Sequence, residues 1–60
     1  MEDYMVVYTA DGHRKAEMFQ YIENVCQYCK KLRDFNQPYR IYQFTRAGVL
    51  HFLEGWSTER

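Results

Sequence analysis

The sequence predicts a small α+β domain of order βαββ, in which one long amphipathic helix packs on a short antiparallel sheet. Two segments rich in β-branched and aromatic residues flank a central segment that repeats apolar residues at helical spacing. A two-stranded sheet alone is marginal, so a third strand is expected near the C-terminus. With 47% hydrophobic and 18% aromatic residues among 60, the chain has the apolar area for one core, and we expect a single domain over residues 1–60.

The first strand is expected over residues 4–10. This segment carries no charge and ends at Asp11-Gly12, a typical turn sequence. Odd and even positions are both apolar, so both sides of the strand are apolar. This pattern is typical of a central strand, or of an edge strand that another element covers.

A helix is expected over residues 13–35, because this segment contains no Pro or Gly and its apolar residues recur at three- and four-residue intervals. The apolar stripe comprises Met18, Ile22, Val25, Cys29 and Leu32. Asp11 is the expected N-cap, and Asn36 followed by Pro38 is expected to end the helix. Since Asp-Gly also forms hairpins, residues 13–16 are alternatively a short returning strand.

A second strand is expected over residues 39–45, and a third over residues 49–53. Between them, Arg46-Ala47-Gly48 fits a three-residue hairpin loop with Gly48 in the left-handed conformation. The alternative is a βαβα order, in which Thr45 caps a short helix that Gly55 ends. Residues 57–60 form a polar tail.

Charge and cysteine content restrict the classes of function. Eight basic and eight acidic residues cancel, so no overall field attracts nucleic acid or an anionic membrane. No apolar run approaches the ~20 residues of a membrane span, and the acidic N-terminus lacks the basic region of a secretion signal. Two cysteines are too few for a disulfide framework. We therefore expect a cytoplasmic protein with no membrane association.

The only arrangement with metal-site chemistry is Cys26-x-x-Cys29 together with His13 and His51, which are four residues of zinc-ligand type. Both cysteines lie within the helical pattern, whereas the histidines are single and distant. A redox pair would place its first cysteine at a helix N-terminus. We therefore expect both cysteines to pack, with no metal and no cofactor. No phosphate loop, paired carboxylates or catalytic motif is present, so no catalytic residue is assigned and the chain is not expected to be an enzyme.

Basic and aromatic residues alternate along the second strand, at Arg40, Tyr42, Phe44 and Arg46. On one strand face, the cations would contact phosphates while the rings stack on bases. The alternative is that Tyr42 and Phe44 pack under the helix, and the zero net charge favours this interpretation.

The leading hypothesis is a small non-enzymatic protein-protein interaction module, an inhibitor or regulator of a partner protein, with a nucleic-acid-binding regulator as the alternative. The predicted partner-binding residues are Trp56, Phe52, Tyr21 and Tyr28. A helix over residues 13–35 would be ~34 Å long against ~23 Å for a seven-residue strand, so its apolar end would project and favour a homodimer. In size and aromatic density, the chain is similar in build to the small host-interaction proteins of bacteriophages.

Overall fold

The computed structural model describes residues 3–58, which form one helix packed on a four-stranded antiparallel sheet. The elements in chain order are β1 (Tyr4–Ala10), β2 (His13–Phe19), α1 (Ile22–Asp34), β3 (Tyr39–Phe44) and β4 (Leu50–Trp56). The strand order in the sheet is β2-β1-β3-β4. The predicted α+β class is confirmed, with one strand more than expected. Residues 59 and 60 of the predicted polar tail lie outside the described residues.

Strand β1 has the predicted bounds and a central position. It pairs with β2 on one side and with β3 on the other, so that Val6 lies between Glu17 and Ile41. Both edges of β1 are therefore hydrogen-bonded to neighbouring strands, which confirms the central-strand interpretation of this segment.

The predicted helix start at residue 13 is wrong, because Asp11-Gly12 forms a hairpin turn. Asp11 (φ 53°) and Gly12 (φ 76°) both have positive φ, as a type I′ hairpin requires. The chain therefore returns as β2, and Met18 lies on this strand rather than on the helix. Asp11 is accordingly not a helix N-cap. Tyr21 holds that position in an extended conformation without a side-chain cap hydrogen bond.

The helix ends as predicted. Asn36 adopts a left-handed conformation with φ 56°. The Asn36 N–H donates to the Arg33 carbonyl (2.9 Å) and the Gln37 N–H donates to the Leu32 carbonyl (2.8 Å). These two bonds form a Schellman motif, which satisfies carbonyl groups of the last turn.

Helix α1 has 13 residues and is therefore about 20 Å long, no longer than the sheet. The predicted projection of the helix past its sheet is wrong, so helix length does not favour a homodimer. The helix packs over β1 and β2. The core has contributions from both layers: Val6, Tyr39 and Ile41 from the sheet, and Val25, Cys29 and Leu32 from the helix.

The C-terminal segment is a strand, so the βαβα alternative is wrong. The Thr45 N–H donates to the Val49 carbonyl (3.0 Å) and the Val49 N–H donates to the Thr45 hydroxyl (3.1 Å). Gly48 between them has φ 78°, the predicted left-handed conformation. Strand β4 extends three residues beyond the predicted end at residue 53. Its register shifts opposite Ile41 and Tyr42, which leaves Leu53 as an extra residue.

Candidate interaction surface

The helix covers one side of the sheet and leaves the other side without a protein layer among the described residues. Side chains alternate between the two sides along each strand, and directly paired residues share a side. We call the side under α1 the covered face and the opposite side the open face. The open face comprises Met5, Val7, Thr9, Arg14, Ala16, Met18, Arg40, Tyr42, Phe44, Leu50, Phe52 and Gly55.

A continuous apolar row crosses the open face from one edge of the sheet to the other. Met5 pairs with Met18 on one side and with Tyr42 on the other, and Tyr42 pairs with Phe52. The Tyr42 and Phe52 rings are 5.7 Å apart in an edge-to-face arrangement. All four strands therefore contribute a large apolar side chain to one row.

The apolar side chains of the open face remain accessible to solvent. Phe52 is 52% exposed and Leu50 is 44% exposed, whereas Val6 on the covered face is 0% exposed. Met5, Met18 and Tyr42 are half-buried by their neighbours on the sheet. Contiguous apolar surface of this kind is typical of contact sites.

The open face has a basic end. Arg40 pairs with Val7, and Arg14 pairs with Thr9, one row further along the sheet. These four residues contribute to the lining of a shallow depression of about 230 Å³. Arg40 therefore lies one row from the apolar row, and Arg14 lies two rows from it.

Gly55 allows the basic end and the apolar row to approach each other. A methyl group at this position would lie 3.4 Å from Cγ of Arg40 and 3.6 Å from Cζ of Phe52. The absence of a side chain at Gly55 lets the Arg40 stem and the Phe52 ring share the space above it.

The opposite end of the open face carries one carboxylate side chain, Asp3. The Asp3 carbonyl accepts a hydrogen bond from the Phe44 N–H (2.8 Å), which continues the pairing of β1 with β3 by one residue. Asp3 is exposed and follows the alternation that places Met5 on the open face. On the open face itself the charged side chains are therefore arginines at one end and aspartate at the other, while the adjoining loops carry Asp11 at the arginine end and Arg46 at the Asp3 end.

Three of the four residues predicted for a nucleic-acid surface lie together. Arg40, Tyr42 and Phe44 all occupy the open face, whereas Arg46 lies in the hairpin loop beyond the end of β3. The alternative in which Tyr42 and Phe44 pack under the helix is wrong. The opposite side of β3 faces the helix, so Tyr39 and Ile41 are the residues that enter the core.

The predicted partner-binding residues Trp56 and Phe52 lie on opposite sides of the sheet. Trp56 is half-buried on the covered face, where its ring stacks on Tyr39 at 6.0 Å. The Arg33 guanidinium lies 5.9 Å from the Trp56 ring centroid, and its Nε–H donates to the Tyr39 hydroxyl oxygen (2.9 Å). Trp56 therefore closes one edge of the core, and Phe52 stands on the open face.

The two tyrosines predicted to bind a partner, Tyr28 and Tyr21, lie apart from each other and away from the open face. Tyr28 packs between Tyr8 and Phe19, with ring centroids 5.6 and 5.2 Å away. Burial, followed by interaction with Tyr8, raises the pKa of the Tyr28 hydroxyl well above its usual value. Tyr21, at the start of α1, is 60% exposed. The four predicted partner-binding residues therefore do not form one patch.

The cysteines show no arrangement suited to catalysis or metal binding. Cys26 is exposed, so the expectation that it packs is wrong, whereas Cys29 is buried in the core as expected. Burial raises the pKa of the Cys29 thiol to about 11. Cys29 is therefore protonated at neutral pH and is a poor nucleophile. Within residues 3–58, no three side chains of the His, Cys, Asp or Glu types come together as a metal site.

Sequence reasoning missed the contributions of β2 and β4 to the open face. A helix over residues 13–35 includes Arg14, Ala16 and Met18, and it hides their alternation as strand residues. The signal that identifies them is the Asp-Gly pair followed by a segment of strand length. Leu50 lies within the predicted third strand, but no sequence feature marks it as part of a site.

Comparisons with known protein families, with curated proteins and with solved structures found no match. The part of the chain that the structure describes contains no helix with the length and hydrophobicity that a membrane crossing requires. The basis for assigning a function is therefore the geometry of the chain itself.

Proposed function

We propose that this chain is a small non-enzymatic protein-interaction module whose contact surface is the open face. One observation carries the proposal: an apolar row of Met18, Met5, Tyr42 and Phe52 crosses the whole sheet without a covering layer in residues 3–58. Such a module acts as an inhibitor or regulator by covering a surface of another protein.

The composition of the open face supports protein binding. An antiparallel sheet with one solvated side ordinarily alternates apolar and polar residues. Here the central strand β1 is apolar on both sides, with Val6 on the covered face and Met5 and Val7 on the open face. Aromatic residues, Met and Arg are also the types enriched in the cores of protein interfaces.

Two further features support a binding role without catalysis and a cytoplasmic location. The buried thiol of Cys29 has a raised pKa, so it is held in its unreactive form at neutral pH. Both cysteines are free in the structure, as is usual in a reducing compartment.

Affinity capture with paired phenylalanine variants tests the proposal. The tagged chain, its Phe52→Ala variant and its Phe35→Ala variant are used as baits in a lysate of the encoding organism. Phe35 is the matched control, because it is 74% exposed at the end of α1 and is not part of the open face. We expect a partner retained by the unaltered chain and by Phe35→Ala, and lost by Phe52→Ala. Equal retention by both variants would show that the open face is not the contact surface.

A second candidate function is binding of single-stranded nucleic acid on the same face. The observation that favours it is the position of Arg40, Tyr42 and Phe44 on the open face beside Arg14. Exposed rings stack on bases and neighbouring arginines contact phosphates on sheets of this type.

A salt titration decides between the two candidates. Binding to a fluorescent pyrimidine oligonucleotide is measured for the unaltered chain and for Tyr42→Ala. Nucleic-acid binding requires an affinity that falls linearly with the logarithm of salt concentration and that drops by roughly 1–3 kcal/mol in Tyr42→Ala. A chain that leaves the oligonucleotide free at low salt rejects this candidate.

A further inference from the structure

We infer that the open face is covered, in the free protein, by the open face of a second copy of this chain, related by a two-fold axis that runs across the strands. The inference rests on the proposed function in one respect, since it uses the same contact surface. It adds the identity of the occupant and the relative orientation of the two copies.

The charges on the open face favour a second copy in one orientation. The open face carries Arg14 and Arg40 at one end and Asp3 at the other. A two-fold axis across the strands reverses the strand direction of the second copy, so the basic end of each copy meets the acidic end of the other. An axis parallel to the strands would instead bring the arginine-bearing end of each copy against the same end of the other, which is unfavourable. The charge pattern therefore selects one of the two face-to-face arrangements.

The remaining rows of the open face also fit each other in this orientation. With the axis midway between the two charged ends, the row that contains Val7 and Arg40 lies over the row that contains Met5 and Tyr42 in the second copy. Apolar residues then meet apolar residues at the centre. Each Arg40 lies over Tyr42 of the second copy, a favourable pairing of a guanidinium with an aromatic ring.

The area of the open face is close to what a weak dimer interface requires. Four strands at ~4.8 Å spacing and seven residues at ~3.4 Å give a footprint of about 24 by 19 Å, or roughly 450 Å² per copy. Because side chains corrugate the surface, the accessible area buried by both copies exceeds twice this footprint and approaches the lower bound of about 1,200 Å² for specific interfaces. We therefore expect a reversible dimer with a dissociation constant of about micromolar magnitude.

Charge-swap variants test the orientation. One variant carries Asp3→Arg and the other carries Arg14→Asp with Arg40→Asp. Each alone places like charges at both ends of the interface, whereas an equimolar mixture restores opposite charges at both ends. Sedimentation equilibrium should show a dimer for the unaltered chain, at least about tenfold weaker association for each variant, and recovery in the mixture.

Matched charge changes off the open face serve as controls. Lys15 lies on the covered face of β2 beside Arg14, and Asp34 lies at the end of α1. Lys15→Asp and Asp34→Arg should leave the dimer unchanged, and circular dichroism should show that every variant remains folded. If these controls weaken the dimer as strongly as the open-face variants, the inferred interface is wrong.

Two other results would also overturn the inference. A monomer at all concentrations up to about a hundredfold above the expected micromolar dissociation constant excludes the second copy as occupant. A dimer whose charge-swap variants do not recover on mixing excludes this orientation.

A different result would contradict the proposed function. That function requires that Phe35→Ala captures a partner and that Phe52→Ala does not. A monomer that still captures a partner in this manner contradicts the inference alone.

Discussion

The two sides of the sheet are similar in composition but differ in what covers them. On the covered face, Val6 and Ile41 lie under Val25 of the helix and are almost entirely buried. On the open face, Met5 and Tyr42 occupy the neighbouring positions of the same strands and have no second layer in the described part of the chain. The strands are therefore apolar enough for two layers, while the described residues provide one. This difference is the basis of our proposal that another molecule provides the second layer.

The largest expected contrast between the two faces is in stability. Leu32 is 4% exposed in the core and Leu50 is 44% exposed on the open face, so the same substitution compares the two environments directly. Leu32→Ala should lower the free energy of unfolding by roughly 2–5 kcal/mol, because it leaves a cavity. Leu50→Ala should cost less than about 1 kcal/mol in the monomer. Urea unfolding at low protein concentration measures both. Similar losses for the two variants would remove the distinction between the faces.

A substitution at Trp56 tests where the core ends. Its ring stacks on Tyr39 and lies under the Arg33 guanidinium, so truncation removes packing at the edge of the covered face. Trp56→Ala should lower the free energy of unfolding by about 2–3 kcal/mol, less than a fully buried tryptophan. Trp56→Phe is the control, because it keeps an aromatic ring against Tyr39 and should retain most of the stability. Unchanged thermal unfolding of Trp56→Ala would instead support the hypothesis that this side chain serves a partner.

The two cysteines allow a buried thiol and an exposed thiol on the same helix to be compared. An unfolded Cys29 ionises near its ordinary pKa of 9.0, whereas the folded thiol ionises only at about 11. Unfolding therefore becomes more favourable as pH rises through this interval, by up to roughly 2 kcal/mol. Tyr28, whose pKa is also raised, acts in the same direction above its ordinary value of 10.0.

Alkylation checks the same contrast at constant pH. Iodoacetamide should modify the exposed Cys26 first and reach Cys29 only as the chain unfolds, as followed by mass spectrometry. Cys29→Val should flatten the alkaline loss of stability, and Cys26→Ser should leave it unaltered. Equal alkylation rates for the two thiols in the folded protein would contradict the burial of Cys29.

The smallest expected effect on stability is at Gly55. A methyl group at this position would lie 3.2 Å from the Tyr39 carbonyl oxygen and close to Arg40 and Phe52. Gly55→Ala should lower the free energy of unfolding by less than about 1 kcal/mol, because β4 is an edge strand. It should weaken self-association severalfold, since the Arg40 stem and the Phe52 ring must move. A dimer of unaltered affinity would show that this part of the open face lies outside the interface.

The elements that local sequence determines were predictable. The Schellman end of α1 follows from Asn36 and Pro38, and the β3–β4 loop follows from Gly48 in the left-handed conformation. The helix start was not predictable in the same way. Asp11-Gly12 suits both a hairpin and a helix entry, and the spacing of Met18 with the helical stripe was coincidental. Pairing with β1, a non-local interaction, decides in favour of the strand.

The candidate site was predictable in part. Strand alternation placed Arg40, Tyr42 and Phe44 on one face, but the side on which the helix packs depends on tertiary contacts, and both sides of β1 are apolar. The separation of Trp56 from Phe52 was not predictable either. An interval of four residues keeps two side chains on one side of a regular strand, and only the extra residue Leu53 moves them to opposite sides.

The most direct test of the open face as a contact surface between copies is an NMR dilution series with methionine and valine methyl labels. Met5 and Met18 both lie on the open face in the apolar row, and Val6 and Val25 provide fully buried reference methyl groups on the covered side. Over roughly two decades of concentration around the expected micromolar dissociation constant, the Met5 and Met18 signals should shift together while the Val6 and Val25 signals remain fixed. If the Met5 and Met18 signals do not change with concentration in a chain that associates, the two copies meet elsewhere and the open face is not the surface through which this protein self-associates.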